Sequence, residues 1–95
     1  RLRVQRAVTG LLGCWHAAAT GKPELLVVEQ HFAMPGRMVA EGRYVEPSDD
    51  DEHPEVIDDV VDDLIERVLQ SGGFVSVVPD GTLREHGRVA MTLAR

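Results

Sequence analysis

The stretch PEVIDDVVDDLIERVLQSGG, residues 54–73, constrains the fold more than any other part of the chain. Val56, Ile57, Val60, Val61, Leu64, Ile65, Val68 and Leu69 recur at three- and four-residue steps, which places them on one stripe of an α-helix. Glu55, Asp58, Asp59, Asp62, Asp63 and Glu66 take the opposite side. Pro54 suits the first helical position, with His53 as N-cap, and Gly72-Gly73 ends the helix. Acid pairs four residues apart repel by roughly 0.2–0.5 kcal/mol each, whereas each buried aliphatic side chain contributes roughly 1.5–3 kcal/mol. Burial decides: the stripe must cover an apolar layer, and the acidic face belongs in solvent.

Two Val-rich runs supply that layer. ELLVVEQ (Glu24 to Gln30) and FVSVVP (Phe74 to Pro79) read as strands buried on both faces. RVAMTLAR alternates like a final strand, with Val89, Met91 and Leu93 on one side. Arg1 to Thr20 reads as a helix, with Val4, Val8, Leu11, Trp15 and Ala18 on one face and Gly10 and Gly13 at points of close packing. Gly21 takes the left-handed cap position, and Pro23 cannot continue the helix. Pro35-Gly36 marks a turn, Met38 to Val45 a short edge strand, and the Asp run at residues 49–51 a solvated loop. The order helix, strand, helix, strand, strand predicts an α/β fold layered around a mixed sheet.

Ninety-five residues make one small domain. The single cysteine, Cys14, excludes an internal disulfide and fits a reducing compartment, the cytoplasm. Its place in an apolar helical pattern reads as an inert core thiol. No apolar stretch is long enough to span a membrane. The net charge of −6 argues against a grip on nucleic-acid phosphates. Eleven of the sixteen acids lie between Glu46 and Glu66, where no Lys or Arg occurs, so the remainder is mildly basic. The chain opens without Met and already in helical rhythm, which suggests a piece of a longer protein.

Motifs for chemistry are scarce. The histidines at positions 16, 31, 53 and 86 are far apart, and no CxxC or HxxxH spacing occurs. SDDDEH lacks the spacing of a calcium loop. No glycine-rich phosphate loop or nucleophile elbow is present. Asp80, Glu85 and His86 could form an acid/base pair if their loop folded them together. The simpler reading has Asp80 making a turn and Glu85 and His86 in solvent, so no catalytic residue, metal or cofactor is expected.

The tail GGFVSVVPDGTLREHGRVAMTLAR resembles the end of the third domain of archaeal and eukaryotic class-1 peptide-chain release factors and Pelota, above all the superfamily's bacterial, Balon-like branch. There an acidic helix, Gly-Gly, a buried strand, a DG.L..HGR.A segment and a last strand recur together. VTGLLGCWHAAATGKPELLVVEQ resembles that family's helix, glycine and strand. The likeness covers the chain except residues 31–54. Gly87-Arg88 stands where the family has paired glycines, and the final tyrosine is missing.

The resemblance implies a three-layer α/β/α sandwich with a mixed sheet, shared with kink-turn-binding ribosomal proteins, of which this chain is a fragment or trimmed version. It also implies a non-catalytic docking module of a bacterial translation factor, meeting the ribosome and a translational GTPase such as elongation factor Tu. The hydrolytic Gly-Gly-Gln loop of release factors belongs to another domain and does not occur here. Asp80, Gly81, His86, Gly87 and Arg88 are the candidate interaction residues. The alternative is an RNA-binding module of the kink-turn type, although the basic loop those proteins use has no counterpart here. A third reading is an enzyme built on Asp80, Glu85 and His86.

Overall fold

The computed structural model of the chain describes residues 6–49 and 54–94. The elements run β1 (Arg6–Thr9), α1 (Leu11–Thr20), β2 (Pro23–Glu29), β3 (Gly36–Val39), β4 (Tyr44–Pro47), α2 (Val60–Gln70), β5 (Phe74–Val78) and β6 (Val89–Leu93). A four-stranded sheet has the order β1-β6-β2-β5. β2 and β5 are parallel, and β6 runs antiparallel to both β1 and β2, so the mixed sheet expected from the sequence is present. β3 and β4 form a separate antiparallel hairpin.

Register assigns the faces. Leu26 lies beside Val75 and Met91, and Val28 beside Val77 and Val89. Leu26, Val28, Val89, Met91 and Leu93 are buried, as the alternation of the last strand predicted. They meet Trp15 and Cys14 of α1 and Val60, Val61, Leu64 and Val68 of α2 in one core. α1 packs on α2, and both reach the sheet, so the described helices share one face of it. Leu25, Val27, Glu29, Phe74, Ser76, Val78, Ala90 and Thr92 take the other face.

The first helix is shorter than expected. It starts at Leu11, and Arg6–Thr9 instead form β1 against β6. The helical steps of Val8 and Leu11 mask a corner at Gly10, whose φ of 84° no helix accommodates and whose N–H donates to the Val89 carbonyl at 2.9 Å. Val4 lies outside the described residues. Gly21 is extended, not left-handed; a Cβ there would meet the Ala17 carbonyl at 2.9 Å, so close approach is what requires glycine.

The second helix also begins late. Asp59 caps it, its carboxylate accepting from Val61 N–H at 3.0 Å and Met34 N–H at 3.1 Å. Pro54 lies in a turn, and Ile57 is extended, exchanging backbone hydrogen bonds with Gly36. The expected cap, His53, and most of the Asp run lie outside the described residues. Of the acidic face, Asp58, Asp62 and Glu66 are exposed and Asp63 is half-buried.

Pro35-Gly36 does not turn the chain: Gly36 opens β3, packed so closely that a Cβ would meet the Glu46 carbonyl at 2.6 Å. The single edge strand expected over Met38 to Val45 is a hairpin, reversing through Ala40, Glu41 and Gly42 at positive φ. Trp15 Nε1 donates to Gly42 O at 2.9 Å, and the Arg67 guanidinium lies 4.4 Å over the Trp15 ring, which ties the hairpin tip to both helices. FVSVVP, expected as a buried strand, is the sheet's edge, with Phe74 72% and Val77 60% exposed.

Candidate functional site

The parallel strands β2 and β5 end side by side at Glu29 and Val78, and residues 79–88 cross from there to β6. Pro79, Asp80 and Gly81 make the expected turn: Thr82 Oγ1 donates to Pro79 O at 2.6 Å, and Gly81 has a φ of 93°. A single 3-10 turn follows at Arg84–His86. Gly87 and Arg88 then both adopt left-handed conformations, with φ of 72° and 70°. Gly87 is needed twice over, since a Cβ there would also meet Gly10 Cα at 3.0 Å.

Glu29 organises this loop. It ends an otherwise apolar strand and is 3% exposed. Arg88 Nε donates to one carboxylate oxygen at 2.8 Å, and Leu83 N–H donates to the other at 2.8 Å. The Arg88 guanidinium holds the Glu29 carboxyl below its ordinary pKa, with Leu83 and Gly81 N–H groups adding to the effect against the cost of burial. Arg88 is raised in turn, mainly by Glu29. A buried carboxylate needs this set of donors, so the charge pair fixes where the loop sits.

Asp80 closes the network on the solvent side. One oxygen accepts from His31 N–H at 3.0 Å and lies 3.4 Å from Arg88 Nη2. The other lies 2.7 Å from His31 Nδ1. The His31 N–H, then its ring, lower the Asp80 pKa. The Arg88 guanidinium also stands 5.0 Å over the Phe32 ring.

Of the five candidate residues, Asp80 and Arg88 thus meet directly, Gly81 and Gly87 shape the loop, and His86 is exposed. Asp80 is joined to His31, with no hydrogen bond to Glu85 or His86 among the described residues. Sequence reasoning missed Glu29, His31 and Leu83. An acid closing an apolar strand and a histidine two residues on were the available signals.

Glu29, Asp80, Gly81, Arg84 and Arg88 line a shallow crevice of about 350 Å³. Thr82, Arg84, Glu85 and His86 border a second, of about 360 Å³. The loop therefore offers a rigid frame with Arg84, Glu85 and His86 pointing outward, suited to polar contacts with a partner surface.

Cys14 is fully buried in the core, and burial pushes its thiol up to about 12, so it stays protonated. No group of three or more metal-ligating side chains occurs among the described residues. No helix among them is long and apolar enough to cross a membrane. No protein-family model matches the chain, and no curated protein matches it at a significant level.

Proposed function

We propose that the chain is a non-catalytic interaction domain of a bacterial release-factor- or Pelota-like translation factor. It docks its parent protein in the cytoplasm on the ribosome or on a translational GTPase such as elongation factor Tu. The observation that carries this reading is the loop at residues 79–88. Of its resemblance-bearing residues, Arg88 is locked to Glu29 and Asp80 to His31, Gly87 turns the backbone between them and β6, and its tip at Arg84–His86 is left in solvent. A frame held this way presents a preformed surface, which lowers the ordering cost of association. The domain needs no cofactor for this role.

The three-layer α/β/α sandwich of that family belongs to the same proposal. The sheet face away from α1 and α2 carries half-buried Leu25, Val27 and Val78 and exposed Phe74, an apolar surface that a further layer would cover. The RNA-binding alternative gains nothing from the loop, in which Glu85 accompanies the cations.

The test is co-sedimentation of the parent protein with bacterial ribosomes, with and without elongation factor Tu. The comparisons are the same protein lacking this domain and the His86→Ala variant. His86 is exposed and its only hydrogen bond among the described residues is from its backbone N–H to Leu83 O, so the variant should fold normally and pellet less. Equal pelleting with and without the domain would remove the docking role. A turnover shown by the wild type and abolished in His86→Ala would favour the enzyme reading instead.

A further inference from the structure

β5 is an edge strand, yet it carries none of the features that normally protect one. Phe74–Val78 contains no charge and no proline, and its register with β2 runs without a bulge. Nothing among the described residues pairs with its outer side. Val78 O accepts from Gln30 N–H at 2.8 Å, so Phe74, Ser76 and Val78 turn their backbone groups inward to β2. Val75 and Val77 therefore turn theirs outward.

We propose that this outer edge pairs antiparallel with the same edge of a second copy of the chain, about a two-fold axis at Ser76. The strand is complementary to itself in that arrangement. Val75 of each copy faces Val77 of the other, and their outward N–H and C=O groups bond reciprocally. Phe74 faces Val78, an aromatic–β-branched pair of the favourable kind. No charge meets its own image along the strand.

Register is pinned as well. Sliding the copies one way sets Val75 against Pro79, which has no N–H. Sliding them the other way sets Val77 against Gly73, whose N–H already donates to Val68 O at 2.9 Å. Only the Ser76-centred register satisfies every outward group of Val75 and Val77.

The flank of α2 extends the same surface. Arg67 reaches Trp15 and Gly42, so its side of the helix faces α1 and the hairpin. Ile65 and Leu69, two positions away in each direction, lie about 160–200° round the helix from it, on the outer flank above β5. Leu69 is 54% exposed. With Val77, which shares the face that α2 covers, they make an apolar strip beside the open edge. In the dimer this strip meets its copy, joining two four-stranded sheets into one. The net charge of −6 on each copy opposes the contact, so association strengthens with salt.

Two measurements decide the matter. In sedimentation velocity at raised salt the chain is expected as a dimer. Val77→Pro removes an outward donor and a side chain of the apolar strip but no bond to β2, so it should sediment as a monomer with an unchanged circular dichroism spectrum. A monomeric wild type, or a Val77→Pro variant that dimerises equally well, would overturn the proposal. Oxidative cross-linking tests the register. Cα atoms of an antiparallel pair without mutual hydrogen bonds lie about 4.5 Å apart, within the roughly 4.4–6.8 Å that a disulfide spans. Ser76→Cys should link into a covalent dimer much faster than Phe74→Cys, while buried Cys14 stays unreactive. Equal rates for the two variants would also overturn it.

Discussion

Glu29 is the residue on which the candidate site depends, and its charge has a consequence for stability. Both Glu29 and Asp80 have pKa values lowered in the folded chain. As pH falls through the ordinary carboxylate range, about 3.9–4.3, the unfolded chain takes up protons before the folded one does. Their stabilising contribution is therefore complete above that range and is lost as pH falls through the lowered native values. Urea-unfolding midpoints should drop with acidification in the wild type and drop less steeply in Glu29→Gln. Parallel slopes in the two proteins would show that Glu29 is not held as described. Little of this was legible in the sequence, because Glu29 meets Leu83 and Arg88 across more than fifty residues. A turn can be read at Asp80-Gly81 from its residue types, but what Asp80 holds cannot.

At the scale of the elements, periodicity identified the right segments and misplaced their beginnings. Val60, Val61, Leu64 and Val68 are buried as the spacing demanded, whereas Ile65 is half-buried and Leu69 is 54% exposed, because they flank the helix beside the edge strand. Val56 and Ile57 fit the same stripe, yet Ile57 is extended against Gly36, because a partner strand offers its backbone the bonds that a first helical turn would lack. The competition was between two cap signals, Pro54 after His53 and the acid at Asp59. Asp59 prevails because one of its oxygens serves both Val61 and Met34, satisfying the helix and the preceding loop together. Asp59→Ala should therefore cost about 1–2 kcal/mol, near the upper end for a lost cap. Pro54→Ala, in an exposed turn, should change stability by no more than about 0.5 kcal/mol. Thermal unfolding followed by circular dichroism separates the two. The same limitation explains β1 and β5: four residues of strand can mimic a helical step, and a Val-rich run reads alike in the middle of a sheet and at its edge.

The described residues as a whole divide into a sheet with two helices and a hairpin held beside them. The sheet and its helices follow from patterns that the sequence displays. The hairpin does not, since Ala40 and Glu41 turn at positive φ without the residue types that announce such a turn. Side chains from the helices hold it in place. Trp15 and Arg67 both donate to Gly42 O, His16 stacks on Tyr44 at 4.5 Å, and Val45 is 4% exposed. Among the described residues β3 and β4 pair only with each other, apart from the bridge at Gly36, so their protection rests on these few contacts rather than on the sheet's ladder. Arg67→Ala removes a hydrogen bond to the tip and the cation over Trp15, but it leaves the buried positions of α2 unchanged. Hydrogen exchange should then quicken at the amides of Val39, Tyr44 and Glu46, which the register places in the hydrogen-bonded pairs of the hairpin, while those of Leu26, Val28 and Met91 keep wild-type rates. Local openings that cross few contacts lie well below global unfolding in free energy, so the difference should appear under native conditions. If the β2 and β6 amides quickened equally, the hairpin would be part of the same cooperative unit as the sheet, and Arg67 would support the whole fold instead of one projection from it.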